Sequence, residues 1–240
     1  MRIARTARGW ARLDGEVCHL LDGPPWRGGR ETGETLVADA LEAPVAPSKI
    51  ICVGRNYRAH AEELGHAVPT EPLLFLKPPS SVLAPGGVIE PPAESARVDF
   101  EGEVAVVIGR RGRRIREADA GAHVFGITCA NDVTARDLQH RDVQFTRAKG
   151  FDTFCPIGPW IETGPPPLDA LELVTRVDGE VRQRARTDRI LFSIAHLIAY
   201  ASGVMTLEPG DVILTGTPEG VGPLATGQLV EVEIAGLGVL

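Results

Sequence analysis

Cysteine is sparse and unclustered. Cys18, Cys52, Cys129 and Cys155 stand far apart, with no C-x-x-C spacing, which suits neither a zinc site nor a disulfide framework. All four lie in apolar surroundings, so buried thiols are expected. No apolar run reaches membrane-spanning length; residues 190–200 are too few and include His196. The first residues, Met1-Arg2-Ile3-Ala4-Arg5, lack the apolar segment of a secretory signal, and a cytoplasmic location is expected. Positive charge is not in excess either. A net charge of −7 argues against nucleic acid as the main partner. The basic run Arg110-Arg111-Gly112-Arg113-Arg114-Ile115-Arg116 has no interleaved aromatic residue and reads as a solvated turn. Internal repeats and low-complexity linkers are missing. So is regular β–α alternation, which argues against Rossmann and TIM folds.

What is present is a chain of 240 residues, enough for one large or two small domains. Nineteen prolines and 27 glycines punctuate many short apolar runs, so the fold class expected is α+β, mostly β. Residues 1–47 read as a small N-terminal β domain, with a hairpin turning at Asp14-Gly15. A Gly/Pro-rich stretch over 23–33, then Pro44 and Pro47, mark its end. Residues 48–240 read as the main, catalytic domain, opening on a strand at 49–54. Further strands are expected near 73–77, 104–108, 124–130, 157–161, 172–178, 212–215 and 229–234. Short helices are expected near 55–65, 117–122, 134–142 and 193–202.

The strongest chemical signal is Asp99-Phe100-Glu101-Gly102-Glu103, opening the apolar run Val104-Ala105-Val106-Val107-Ile108. Side chains at i and i+2 of a strand face the same way, so Glu101 and Glu103 converge. Two negative charges side by side on a largely buried strand are costly unless a cation compensates them. A hard divalent cation, bound through oxygen, is the natural compensator. The plainer alternative is the solvated face of an edge strand. Two features favour the metal. Gly102 leaves the opposite face bare, which suggests close backbone packing. Asp132 adds a third carboxylate where the apolar run 124–130 gives way to polar residues.

His60 and Glu63 are three residues apart on the expected helix 55–65 and can touch. A carboxylate beside an imidazole orients it and raises its basicity; the alternative is an ordinary surface ion pair. Glu62 lies on the wrong face for His60, and His66 carries no assignment. Lys149 on its own reads as an exposed loop lysine.

Several motifs occur in order: Val53-Gly54-Arg55-Asn56-Tyr57, Phe75-Leu76-Lys77-Pro78, Asp99 to Glu103, Asn131-Asp132-Val133-Thr134-Ala135-Arg136-Asp137-Leu138-Gln139, Lys149-Gly150-Phe151-Asp152, and Leu214-Thr215-Gly216-Thr217-Pro218-Glu219-Gly220-Val221-Gly222. Together they resemble the fumarylacetoacetate hydrolase family, in particular its short bacterial members, over about residues 49–235. The resemblance implies stacked mixed β-sheets with few short helices, usually paired as a homodimer. It implies Mg²⁺ or Mn²⁺ held by Glu101, Glu103 and Asp132. Three carboxylates leave about three positions of an octahedral ion for water or substrate, and a 2-oxo acid can fill two of them. The resemblance makes Lys149 a stabiliser of an enolate-type oxyanion. It makes Arg136 and Gln139, which share a face at i and i+3 if 134–142 is helical, contacts to substrate or water, and Gly216 with Thr217 a carboxylate-binding loop in which glycine permits close backbone approach. His60 and Glu63 become a lid pair that prepares water.

The function this implies is metal-dependent cleavage of a carbon–carbon bond in a small 2-oxo acid through a metal-bound enolate. Acylpyruvate hydrolysis and oxaloacetate-type decarboxylation are the leading forms. The alternatives are an isomerase/decarboxylase of 2-hydroxyhepta-2,4-diene-1,7-dioate, in the 5-carboxymethyl-2-hydroxymuconate pathway, and a non-catalytic metal or organic-acid binding protein. No nucleic acid and no membrane are expected as partners.

Overall fold

Strict alternation makes Gly102–Ile108 the middle of the fold. Val104, Val106 and Ile108 enter one apolar cluster, and Ala105 and Val107 enter another on the opposite face. Both faces of the strand are therefore dry, and all of its residues are buried. A strand in that position reads as a continuous apolar run, as it does in the sequence. The computed structural model describes residues 1–37, 40–164 and 167–240.

The strand lies in an eleven-stranded sheet. Its path runs Glu31–Val37, Val17–Leu21, Gly9–Asp14, Arg2–Thr6, Cys155–Glu162, Val124–Asn131, Gly102–Ile108, Val212–Leu214, Ile50–Gly54, Leu73–Lys77. Val82–Leu83 pairs in parallel onto Cys155–Glu162. A four-stranded sheet (Glu180–Arg186, Glu172–Val177, Val230–Ile234, Gly238–Val239) packs on one face, placing Leu173, Val232 and Ile234 against Val104, Val106 and Ile127. A third, three-stranded sheet joins Thr134–Ala135, Val98–Phe100 and Gly222–Pro223. The architecture is mostly β with stacked mixed sheets, as expected.

The helices among the described residues are short. They are α1 (Arg58–Glu63), α2 (Arg136–Arg141), α3 (Thr146–Lys149) and α4 (Ile194–Val204). Helix α1 stops where Gly65 turns left-handed at φ +68°, with His66 N–H returning to the Ala61 carbonyl at 2.9 Å. Helix α4 opens on Ser193, whose hydroxyl accepts the His196 N–H at 3.1 Å.

Several details differ from the sequence reading. Residues Glu117–His123 form 3-10 rather than α-helical turns. The hairpin turns on Gly15-Glu16, because Asp14 already pairs with Val17. Strands Arg2–Thr6, Glu31–Val37 and Glu180–Arg186 were not expected. Glu180–Arg186 buries only Gln183 and Ala185, and the exposed strand Glu31–Val37 buries none of its residues, so neither carries an apolar pattern. The N-terminal strands continue the main sheet, with Arg2 opposite Glu162 and Ile3 opposite Ile161.

Candidate active site

Three neighbouring strand ends build an acidic cluster. Glu103 projects from Gly102–Ile108. Asp132 follows the end of Val124–Asn131. Glu101 occupies the break between Val98–Phe100 and Gly102–Ile108, not the strand that the sequence suggests. The break is held by side-chain and backbone bonds. Glu101 N–H donates to Asn131 Oδ1 at 2.8 Å, and Asp132 N–H donates to the Glu101 carbonyl at 2.8 Å. Glu101 and Glu103 converge all the same. One carboxylate oxygen from each of Glu101, Glu103 and Asp132 lies within 4.8 Å of the others, and all three residues are buried.

Cations surround this cluster. Lys149, at the end of α3, donates to Glu101 Oε2 at 2.8 Å and to Asp132 Oδ2 at 2.6 Å. It is buried, so the plain reading of an exposed loop lysine fails. Lys77, at the end of Leu73–Lys77, donates to Asp132 Oδ1 at 2.6 Å and to the Val133 carbonyl at 3.1 Å. Arg136 divides its guanidinium among Asp99 Oδ2 at 2.9 Å, Glu101 Oε1, and Gln139 Oε1 at 2.6 Å. That last bond is the i,i+3 pairing expected on α2.

The electrostatics separate the carboxylates. Burial opposes charge on Glu101, but Lys149, Arg136 and His60 outweigh it and hold the acid far below its ordinary range. Burial raises Glu103, and the neighbouring charges of Asp132 and Glu101 raise it further, well above the usual glutamate value. Glu103 accepts the Gly216 N–H at 2.6 Å, and no cationic side chain among the described residues hydrogen-bonds to it. Burial alone would lower the Lys149 ammonium, and the charges of Asp132 and Glu101 reverse that, keeping it protonated. A buried carboxylate facing two others, with only a backbone donor, is a site short of positive charge. The all-oxygen donor set suits a hard divalent cation, so the residues present fit the metal implied by the resemblance.

A cavity of about 270 Å³ opens onto the cluster. Glu101, Glu103 and Asp132 line it, together with His60, Lys149, Arg136, Gln139 and Thr217. Glu63 and Gly216 are not among the residues that line it. Gly216, at φ +100°, has no room for a Cβ because Asn56 Cβ would lie 2.6 Å away. Its N–H is committed to Glu103, so the glycine serves close packing of two protein segments. Thr217 Oγ1 donates to the Gly102 carbonyl at 2.9 Å and accepts from Gln183 Nε2 at 2.8 Å.

His60 is buried on α1. Its Nδ1 is 3.5 Å from Glu63 Oε2 but has no hydrogen-bond partner. Glu63 instead accepts the Gly220 N–H, at 3.1 and 3.2 Å to its two oxygens, which ties α1 to the 215–222 loop. Burial pushes the His60 imidazole down, against the pull of the Glu101 carboxylate. Sequence reasoning missed Lys77 and Asn131 as supports of the cluster, although both stand inside the motifs quoted for it. It also missed the cavity-lining Arg55 and His140. His66, left unassigned, lines the cavity as well.

All four cysteines are buried. Burial pushes the Cys155 thiol up to about 12 and that of Cys129 likewise to about 12. No helix of the described residues is long and apolar enough to cross a membrane.

The chain resembles known proteins along its whole length. The profile of the fumarylacetoacetate (FAA) hydrolase C-terminal domain matches residues 49–240, and an Rv2993c-like N-terminal profile matches residues 1–42. A mitochondrial Arabidopsis thaliana protein named oxaloacetate tautomerase FAHD1 is 49% identical over 197 residues, 79% of this chain and 87% of that protein. A mitochondrial Dictyostelium discoideum protein named oxaloacetate decarboxylase is 47% identical over 195 residues, 79% of this chain and 89% of that protein. Among solved structures, 5-carboxymethyl-2-hydroxymuconate delta-isomerase from Mycobacterium smegmatis superposes with a TM-score of 0.91 at 44% identity, covering 100% of this chain and 97% of that one.

Proposed function

The chain belongs to the fumarylacetoacetate hydrolase family and is an enzyme of it, and on that premise we propose that it interconverts the keto and enol forms of a small 2-oxo acid. The observation that carries this reading is one cavity lined by three kinds of group: the carboxylate cluster, the protonated Lys149, and the His60 imidazole. Glu101, Glu103 and Asp132 would hold Mg²⁺ or Mn²⁺. Such an ion, when bound, acts as a Lewis acid on the keto oxygen and lowers the barrier to losing the neighbouring C–H proton.

The chain's own residues supply the rest. His60, with its basicity lowered by burial, is unprotonated near neutral pH and able to accept a proton from the carbon beside the carbonyl. Returning that proton to the oxygen gives the enol, and returning it to carbon regenerates the ketone. Lys149 offers a permanent positive charge where the oxyanion develops. Arg136 and Gln139 form the wall against which the acid is oriented. Neither proton step needs an attacking water, which suits a His60 not hydrogen-bonded to Glu63. The relatives named oxaloacetate tautomerase and hydroxymuconate isomerase agree in reaction type. The homodimer and the cytoplasmic location expected from the sequence belong to the same reading.

Carbon–carbon cleavage is the second reading, favoured by the 3.5 Å approach of Glu63 to His60. A small rotation would complete the pair that prepares water for hydrolysis. Decarboxylation would need only the same enolate-forming groups. The test is to follow the ultraviolet decay of enol-oxaloacetate with Mg²⁺ or with chelator, beside pyruvate formation and acetylpyruvate hydrolysis. Metal-dependent keto–enol exchange much faster than either cleavage is expected. Acetylpyruvate hydrolysis without enhanced exchange would overturn the proposal in favour of the second reading.

A further inference from the structure

Arg55 has no place in the chemistry just described, yet it lines the same cavity. It follows Ile50–Gly54 directly and holds φ +58°, in the left-handed region. Bulky side chains rarely adopt that conformation, and residues kept there against local preference concentrate at ligand sites. The guanidinium of Arg136 is occupied by Asp99, Glu101 and Gln139. That of Arg55 has no carboxylate within hydrogen-bond or ion-pair distance among the described residues. His66 and His140, both exposed, line the cavity beside it, and among the described residues their imidazole rings are likewise without hydrogen bonds or ion pairs. These three basic groups are close enough to oppose one another: after burial, Arg55 and His140 are the largest influences lowering His66. A guanidinium that lines a cavity with no carboxylate beside it, and only imidazoles next to it, is relieved by an anion.

The cavity is thus divided by chemistry. The buried part carries the carboxylates that would hold a metal, with the keto oxygen and first carboxylate of a 2-oxo acid. The more exposed part carries an unpaired guanidinium, whose planar fork suits a second carboxylate. We propose that Arg55, flanked by His66 and His140, binds the distal carboxylate of a dicarboxylic 2-oxo acid and so selects dicarboxylates over monocarboxylates. This rests on the cavity being the site of 2-oxo acid chemistry.

The test compares two acids of equal carbon number, oxaloacetate and 2-oxobutanoate, using the Mg²⁺-loaded enzyme. Solvent deuterium exchange at C3, followed by NMR, gives KM for each. Arg55→Asn removes the charge while keeping a residue that tolerates the left-handed backbone. It should raise the ratio of KM for oxaloacetate to KM for 2-oxobutanoate about 10- to 100-fold, the loss of a charge-assisted hydrogen bond. Arg55→Lys should recover part of that ratio. An unchanged ratio would overturn the proposal, and so would equal losses for both acids, which would place Arg55 in support of the fold or of the metal end. Calorimetry with an unreactive pair, malate and 2-hydroxybutanoate, separates this inference from the proposed reaction. A malate preference that Arg55→Asn abolishes, in an enzyme that exchanges neither 2-oxo acid, would keep the subsite and sink the reaction. Exchange of oxaloacetate with no Arg55-dependent preference in either pair would do the reverse. No exchange and no preference would sink both.

Discussion

Gly102 separates the two glutamates of the cluster, and a methyl group there has nowhere to go. A Cβ at Gly102 would lie 2.0 Å from Thr175 Oγ1, with Gln183 Oε1 at 3.2 Å and Thr175 Cβ at 3.3 Å. Gly102 is part of a strand and is not among the glycines with positive φ, so the penalty of Gly102→Ala is purely steric. Overpacking of this kind costs about 1–3 kcal/mol. At ~2–4 °C per kcal/mol for a chain of this size, Tm should fall by roughly 2–12 °C. The clashing atom is itself anomalous, because Thr175 Oγ1 is buried without a hydrogen-bond partner. Thr175→Ala therefore removes an orphan hydroxyl, worth about 1–3 kcal/mol of relief, against about 1 kcal/mol for the lost methyl. It should remain within ~1 kcal/mol of the parent or exceed it. In the double variant the nearest remaining neighbours are those beyond 3 Å, and most of the loss should return. Urea denaturation of the metal-free protein closes the cycle, with an expected coupling of about 1–3 kcal/mol. Metal affinity, measured by calorimetry, should fall in Gly102→Ala and recover with the double variant, because Glu101 and Glu103 are spaced by this residue. Additive effects of the two substitutions would refute the argument that this contact sets the spacing.

Two further predictions concern the charges. Lys77→Met leaves Asp132 with a single buried cation, and loss of one partner of a buried pair costs up to about 3–5 kcal/mol; Lys149 still holds the other oxygen at 2.6 Å, which limits the loss. A divalent cation replaces the missing charge, so Mg²⁺ should raise Tm more in the variant than in the parent, and an equal or smaller rise in differential scanning calorimetry would count against it. Glu103 is raised above its ordinary 4.5, so the folded metal-free protein binds the extra proton, and Glu103's contribution to stability declines as pH climbs from that value through the raised one. Cation uptake displaces the proton, so apparent affinity should grow by up to tenfold per pH unit across that window; calorimetry in two buffers of different ionisation enthalpy should detect the release, and uptake without it would contradict the assignment.

Much of this was legible because burial and chemistry coincide. The run 104–108 is apolar on both faces and reads as a buried strand, which made its flanking carboxylates conspicuous. Arg136 and Gln139 could be paired from helical spacing alone, and their hydrogen bond at 2.6 Å follows it. Other features depend on partners distant in sequence. Lys77 ends an apolar strand and looks like its solvated terminus, but Asp132, from another strand's end, takes its charge. Gly216 suggests close approach of a ligand, whereas the segment that approaches is Asn56. The break at Glu101 is invisible because its apolar neighbours suggest one uninterrupted strand; Asn131, which caps the break, supplies the reason for it. Arg55 sits in a motif, but only a backbone angle distinguishes it from an ordinary surface arginine.

Charge neutrality connects the pieces. Asp99, Glu101, Glu103 and Asp132 are buried with Lys77, Lys149 and Arg136. If Glu103 keeps its proton, three buried negative charges face three buried positive ones, with the solvated Arg97 on the outer side of Asp99, and the metal-free protein can bury them all. Uptake of a divalent cation with loss of the Glu103 proton adds one net positive charge among buried groups, which is unfavourable alone. The carboxylate of a 2-oxo acid cancels it. A neutral ligand would leave the charge in place, so cation and acid should bind each more tightly in the other's presence. A second carboxylate on the same acid would reintroduce an imbalance unless it met a cation of its own. In this cavity, the guanidinium without a partner among the described residues is that of Arg55.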